Sequence, residues 1–147
     1  MSINYDQDFF AWSQEQAQLL RSGHFSRLDI AHLVEEIGDL GKRERRALES
    51  RLAVLMGHLL KWRYQPDYPH RKSWRATINT QRRGITKLLN ENPSFGAEFD
   101  KVIAEAYPDA VDLAVAETPF DYDTFPESCP WDEEQILKNY WPLANED

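Results

Sequence analysis

Apolar side chains recur along almost the whole chain at spacings of three and four, the period of helices that bury one face. The first stripe, Tyr5, Phe9, Trp12, Gln16 and Leu19 or Leu20, predicts a helix over residues 5–22 that stops at Gly23. Ser26 followed by Asp29, with Phe25 and Ile30 beside them, has the form of a capping box with a hydrophobic staple and starts a second helix. Its expected buried face is Ile30, Leu33, Val34, Ile37 and Leu40, leaving Asp29, His32, Glu35, Glu36 and Asp39 to water. Gly38 and Gly41 predict a kink or short break, after which residues 42–62 are helical again through Leu48, Leu52, Leu55, Met56 and Leu59.

Beyond a loop at 65–69, a helix over 72–91 carries Trp74, Ile78, Ile85, Leu88 and Leu89 inward and ends at Asn92-Pro93-Ser94. The next stripe is Phe95, Phe99, Val102, Ile103 and Ala106, and Pro108 is expected to break or restart that helix before residues 110–116. Over 118–130 the period dissolves into prolines interleaved with Phe120, Tyr122, Phe125 and Cys129, which predicts an extended segment pinned down by its aromatics. Asp132 then caps a short last helix stapled by Trp131 and Ile136. The expected fold is all-α: a single compact bundle of five to seven helices, one domain over 1–147, with an irregular docked segment before a short C-terminal helix.

Composition narrows the function classes. A chain of 147 residues with 41% hydrophobic content has the material for one buried core. The longest apolar stretch, 52–60, is interrupted by His58 and too short to span a bilayer, so a cytoplasmic protein with no membrane association is expected. The lone Cys129 excludes an intrachain disulfide and a Cys-rich zinc site. The formal charge of -8 hides a sorting: residues 42–87 hold thirteen Lys or Arg against Glu44, Glu49 and Asp67, while both flanks are acidic. Self-complementary pairing between the blocks is the expected reading. The alternative is an exposed basic ridge of Arg71, Arg75, Arg82 and Arg83 that binds phosphates or an acidic protein.

Few residues suggest chemistry. Arg51 and His58 stand two turns apart on one helical face, where His58 would move protons and Arg51 would stabilise a phosphate. This Arg-x6-His spacing resembles the motif of the helical ribonucleases called higher eukaryote and prokaryote nucleotide-binding domains, although Leu52 stands where those enzymes usually carry a polar residue. It marks a metal-independent ribonuclease or RNA-binding protein as the alternative function. His32, Glu36 and Asp39 share a helical face with Glu35 nearby and have the spacing of cation ligands, but one helix supplies too few donors and a solvated acidic face is expected. No metal, cofactor, phosphate loop or nucleophile elbow is expected, and whether the chain is an enzyme stays open. The favoured partner is a protein or a second copy meeting the 42–62 helix, with nucleic acid less favoured.

The segments YDQDFFAWSQEQAQLLR (from Tyr5), LDIAHLVEEIGDLG (from Leu28), LESRLAVLMGHLLKWRYQP (from Leu48), SWRATINTQRRGITKLLNENPS (from Ser73), AEAYPDA (from Ala104) and FPESCPW (from Phe125) follow one another in a fixed order. In this they resemble the bacterial family registered as domain of unknown function twenty-nine, over nearly the whole chain. The resemblance implies an all-helical single domain. It implies no activity and carries over no catalytic residue, so a non-enzymatic binding or protein-interaction module is the favoured expectation.

Overall fold

Asp8 sets where the first helix begins: its carboxylate accepts from the Ala11 N–H at 2.9 Å, and α1 (Phe9–Arg21) follows. Tyr5 belongs to the turn before it rather than to the helix. The end is a Schellman motif at Gly23, whose φ of 77° suits glycine, with Gly23 N–H on Leu20 O and His24 N–H on Leu19 O. After a 3-10 turn, Phe25–Arg27, α2 runs from Ile30 to Tyr64; α3 (Arg71–Glu91), α4 (Phe99–Glu117) and α5 (Glu133–Leu137) complete the helices of the computed structural model. Further 3-10 turns lie at Pro93–Glu98 and Tyr122–Thr124. The structure describes residues 2–144, and among them there is no strand, so the fold is all-α. The chain divides into two compact units, Met1–Arg43 and Glu44–Asp147, with α2 contributing residues to each.

In the first unit Asp29, not Ser26, caps α2, accepting from the His32 N–H at 3.4 Å. The expected staple is absent, since Phe25 and Ile30 are both exposed. α2 also passes Gly38 and Gly41 without a break. Each glycine costs about 1 kcal/mol in helix propensity relative to alanine, yet keeps its helical hydrogen bonds. The larger correction concerns the buried face. Ile30, Val34, Ile37 and Leu40 are 58, 65, 66 and 58% exposed, whereas the side chains expected in water, Asp29, His32, Glu36 and Asp39, are half-buried. The reason is polar: α1 buries Trp12, Gln16 and Leu19, and two of these three bring hydrogen-bonding groups to α2.

The second unit holds the large core. Leu48, Leu52, Leu55, Met56, Leu59 and Leu60 of α2 are fully buried with Ile78 and Ile85 of α3 and Phe99, Val102 and Ala106 of α4. At Gly57 a Cβ would stand 2.8 Å from Leu113 Cδ2 and 3.2 Å from Ala110 O, so α2 and α4 approach there as only a glycine permits. α4 is unbroken at Pro108. Pro108 and Ala104, whose carbonyl loses its donor, are both exposed, so that carbonyl is not sealed away from solvent.

The segment before α5 docks as expected, with Phe125 and Trp131 buried and Tyr107 Oη donating to Pro126 O at 2.7 Å. α5 starts with a complete capping box between Asp132 and Gln135, flanked by buried Trp131 and Ile136. Its far end is held by α3: Arg82 donates through Nε to Ile136 O at 2.8 Å and through Nη2 to Gln135 O and Tyr140 O at 3.1 and 2.7 Å. These carbonyls lie where a helix end runs out of its own donors. Replacing Arg82 by Met is therefore expected to lower the unfolding free energy by about 2–4 kcal/mol, read in urea denaturation; an unchanged midpoint would show that the clamp contributes nothing.

Candidate interaction surface

Asp29 organises the first unit's polar side. Its Oδ2 accepts from Trp12 Nε1 at 3.0 Å and bonds His32 Nδ1 at 2.7 Å, while its own N–H donates to Gln16 Oε1 at 2.8 Å. Tyr5 stacks on the His32 ring, with centroids 4.0 Å apart, and donates to Glu36. The bond to Glu36, with burial, pushes the Tyr5 hydroxyl up to about 12. The same logic links the dyad: the hydrogen bond to Asp29 raises the His32 pKa, and the bond to His32 lowers that of Asp29. His32 and Glu36, which had the spacing of cation ligands, are thus bonded to Asp29 and Tyr5. Among the described residues no group of three or more His, Cys, Asp or Glu is placed to hold a metal.

Because this network uses the polar side of α2, the apolar side is left bare. Phe9, Trp12 and Leu20 of α1 face Leu33, Ile37 and Leu40 of α2 across a groove of about 370 Å³, lined almost wholly by apolar atoms. Val34 and Ile30 extend the surface along α2, and Phe9, Phe10 and Leu20 are 49, 73 and 48% exposed. Contiguous apolar exposure on this scale marks recognition surfaces in soluble proteins. The heptad-like spacing was legible in the sequence; that it faces outward was not.

The structure separates the four ridge arginines. Arg71 is half-buried, donating to Trp62 O at 2.8 Å and Pro66 O at 3.0 Å while its guanidinium lies 3.6 Å from the Trp62 ring centroid. Arg82 is 7% exposed and spent on the carbonyls in the last turn of α5 and just beyond it. Arg75 and Arg83 are exposed. Arg82 and Arg83 both border a shallow groove of about 610 Å³ with Thr86, Lys87 and Asn90, away from Arg71. Carboxylates reach other members of the basic block: Arg45 meets Glu105 at 3.0 Å and Glu98 at 3.9 Å, Lys61 meets Glu117 at 3.2 Å, and Lys87 meets Glu91 at 3.9 Å.

Arg51 and His58 are both half-buried. Arg51 donates to Gln81 Oε1 at 3.1 Å and lies against Gly84, where a Cβ would collide with the guanidinium. His58 Nδ1 is 2.8 Å from Val54 O; a carbonyl only accepts, so Nδ1 carries the proton and donates. Burial pushes the His58 pKa down. Cys129 is half-buried against Met56, and burial raises its thiol pKa.

An all-helical protein with one large core and one bare two-helix face is the class that this geometry defines. The family model described as "Domain of unknown function DUF29" matches residues 4–142, and the chain belongs to that family. Neither a curated protein nor a solved structure matches the chain. No helix among the described residues is long and apolar enough to cross a membrane.

The Asp29–His32 pair gives a pH signature. A raised histidine contributes stability below its ordinary value of about 6.5 and loses it as pH rises through the folded-state value. The lowered Asp29 contributes above about 3.9 and loses it as pH falls through its own lowered value. The pair therefore contributes most between those two ordinary values. In an NMR titration His32 is expected to titrate above the ordinary histidine value, and Asp29→Asn to move it down; a midpoint indifferent to Asp29 would contradict the assignment.

Proposed function

We propose that this chain is a non-enzymatic protein-interaction module whose recognition surface is the apolar groove and adjoining α2 face of the first unit. One observation carries the reading: Ile30, Val34, Ile37 and Leu40 are all more than half exposed beside Phe9, Phe10 and Leu20. Leaving so much apolar surface in water is unfavourable by about 25 cal/mol per Å², and a partner's apolar side chains remove that penalty. The groove has the form that receives an amphipathic helix.

The alternative, a metal-independent ribonuclease or RNA-binding protein, draws its support from Arg51 and His58 on one face of α2 and from the exposed Arg75 and Arg83. It is the weaker reading. Arg51 is already engaged by Gln81, His58 by Val54 O, and two of the four ridge arginines by backbone carbonyls.

A photo-crosslinking side chain placed at Val34, in cells expressing the full chain, is expected to yield a discrete covalent protein adduct. The same group at exposed Lys72 of α3 is expected to yield none. No adduct at Val34 would end the interaction reading. Chelator-resistant RNA cleavage that is lost in His58→Ala while the fold is retained would install the alternative in its place.

A further inference from the structure

The occupant of this surface can be argued from its own shape, on the premise that the first unit is a recognition surface. We propose that the first unit pairs with the first unit of a second copy of this chain, two helical hairpins meeting face to face as a four-helix bundle.

The hairpin geometry comes from the bonds. Going up the chain, Tyr5, Trp12 and Gln16 meet Glu36, then Asp29 and His32, then Asp29 alone, so α1 and the first part of α2 run antiparallel. Two antiparallel helices that touch through a polar seam form half of an ordinary four-helix bundle, and the missing half must supply an apolar face of the same kind. A second copy does so by definition.

The surface is also self-complementary in relief. Counting 100° per residue, Ile30, Val34, Ile37, Gly38 and Gly41 lie on one arc of α2, and Phe9, Ser13, Ala17 and Leu20 on one arc of α1. Bulky and small side chains thus share each face. A Cβ at Gly38 or Gly41 would meet nothing within 4 Å in the chain, so no contact inside the unit accounts for two helix-weakening glycines three positions apart. Close approach of a partner helix does account for them, with Val34 and Ile37 filling the gaps opposite.

Charge order selects the orientation. On the flank of this arc the acidic Glu35 comes first and the basic Lys42 last. A two-fold axis across α2 sets the acidic end of one copy against the basic end of the other and opposes the helix dipoles. A uniformly basic partner helix would instead bring like charge to Lys42. Area points the same way: seven side chains, each roughly half or more exposed, exceed the scattered exposure of an ordinary monomer.

The test is sedimentation equilibrium on the purified full chain up to about 100 µM, the range where weak association still shows. The expected mass is twice 17.2 kDa. Val34→Glu combined with Ile37→Glu places charges on residues exposed in the single chain, so the helical circular dichroism should persist. The dissociation constant should rise about hundredfold or more, and Lys72→Glu should leave it unchanged. A wild-type chain of 17.2 kDa at the highest concentration overturns the pairing, as does a dimer indifferent to the double substitution. The Val34 adduct separates this failure from that of the broader reading. A monomer with an adduct of another mass sinks only self-pairing, whereas a monomer with no adduct sinks both.

Discussion

The first unit depends on one carboxylate. Asp29 begins α2, fixes the Trp12 indole, and orients His32 and raises its pKa, while its backbone N–H holds Gln16. These bonds are directional, so they determine which side of α2 faces α1. That side is the polar one. An amphipathic helix docked by its polar side must present its apolar side elsewhere, and the exposure of Ile30, Val34 and Ile37 follows from Asp29 rather than from any failure of hydrophobic packing.

In the second unit the charge sorting resolves into more than ion pairs. Lys61, 4% exposed, is held between Glu117 and the face of Trp74, its nitrogen 4.6 Å from the ring centroid. The exposed pair Lys87–Glu91 at 3.9 Å contributes little. The arginines that enter the interior choose carbonyls instead: Arg71 takes those at the end of α2, and Arg82 those at the end of α5. A helix C-terminus offers a cation several aligned carbonyls and the negative end of its dipole, so no carboxylate has to be desolvated as well. The central basic block is therefore partly a set of clamps between helix ends.

What was legible in the residues divides along the same physical line. Periodicity located the five helices, the docked Phe125 segment and the Asp132 cap, because each rests on neighbours a few positions away. It also marked Leu48, Leu52, Leu55 and Leu59 as a buried stripe. It went astray at Ile30, Val34 and Ile37, which continue the same kind of apolar repeat, because spacing says that a face is apolar and not what covers it. The glycine and proline breaks failed for a related reason: Gly38, Gly41 and Pro108 each weaken a helix locally, and the packing along α2 and α4 outweighs them. Arg82 and Arg71 read as surface cations because nothing in a sequence distinguishes an arginine facing a carboxylate from one facing a helix end.

The same kind of bonding sets the acid–base preferences of His32, His58 and Cys129. A general base near neutral pH needs a free lone pair aimed at open space, and a nucleophile needs help in losing its proton. His32 is drawn toward its charged form by Asp29 and covered by the Tyr5 ring. Burial pushes the His58 pKa down, and its Nδ1–H donates to Val54 O. The Cys129 thiol is pushed up by burial, away from the thiolate that reacts. Each group is set by a structural bond or by apolar surroundings. The bare apolar face of α1 and α2, by contrast, has no partner within its own unit to remove it from water.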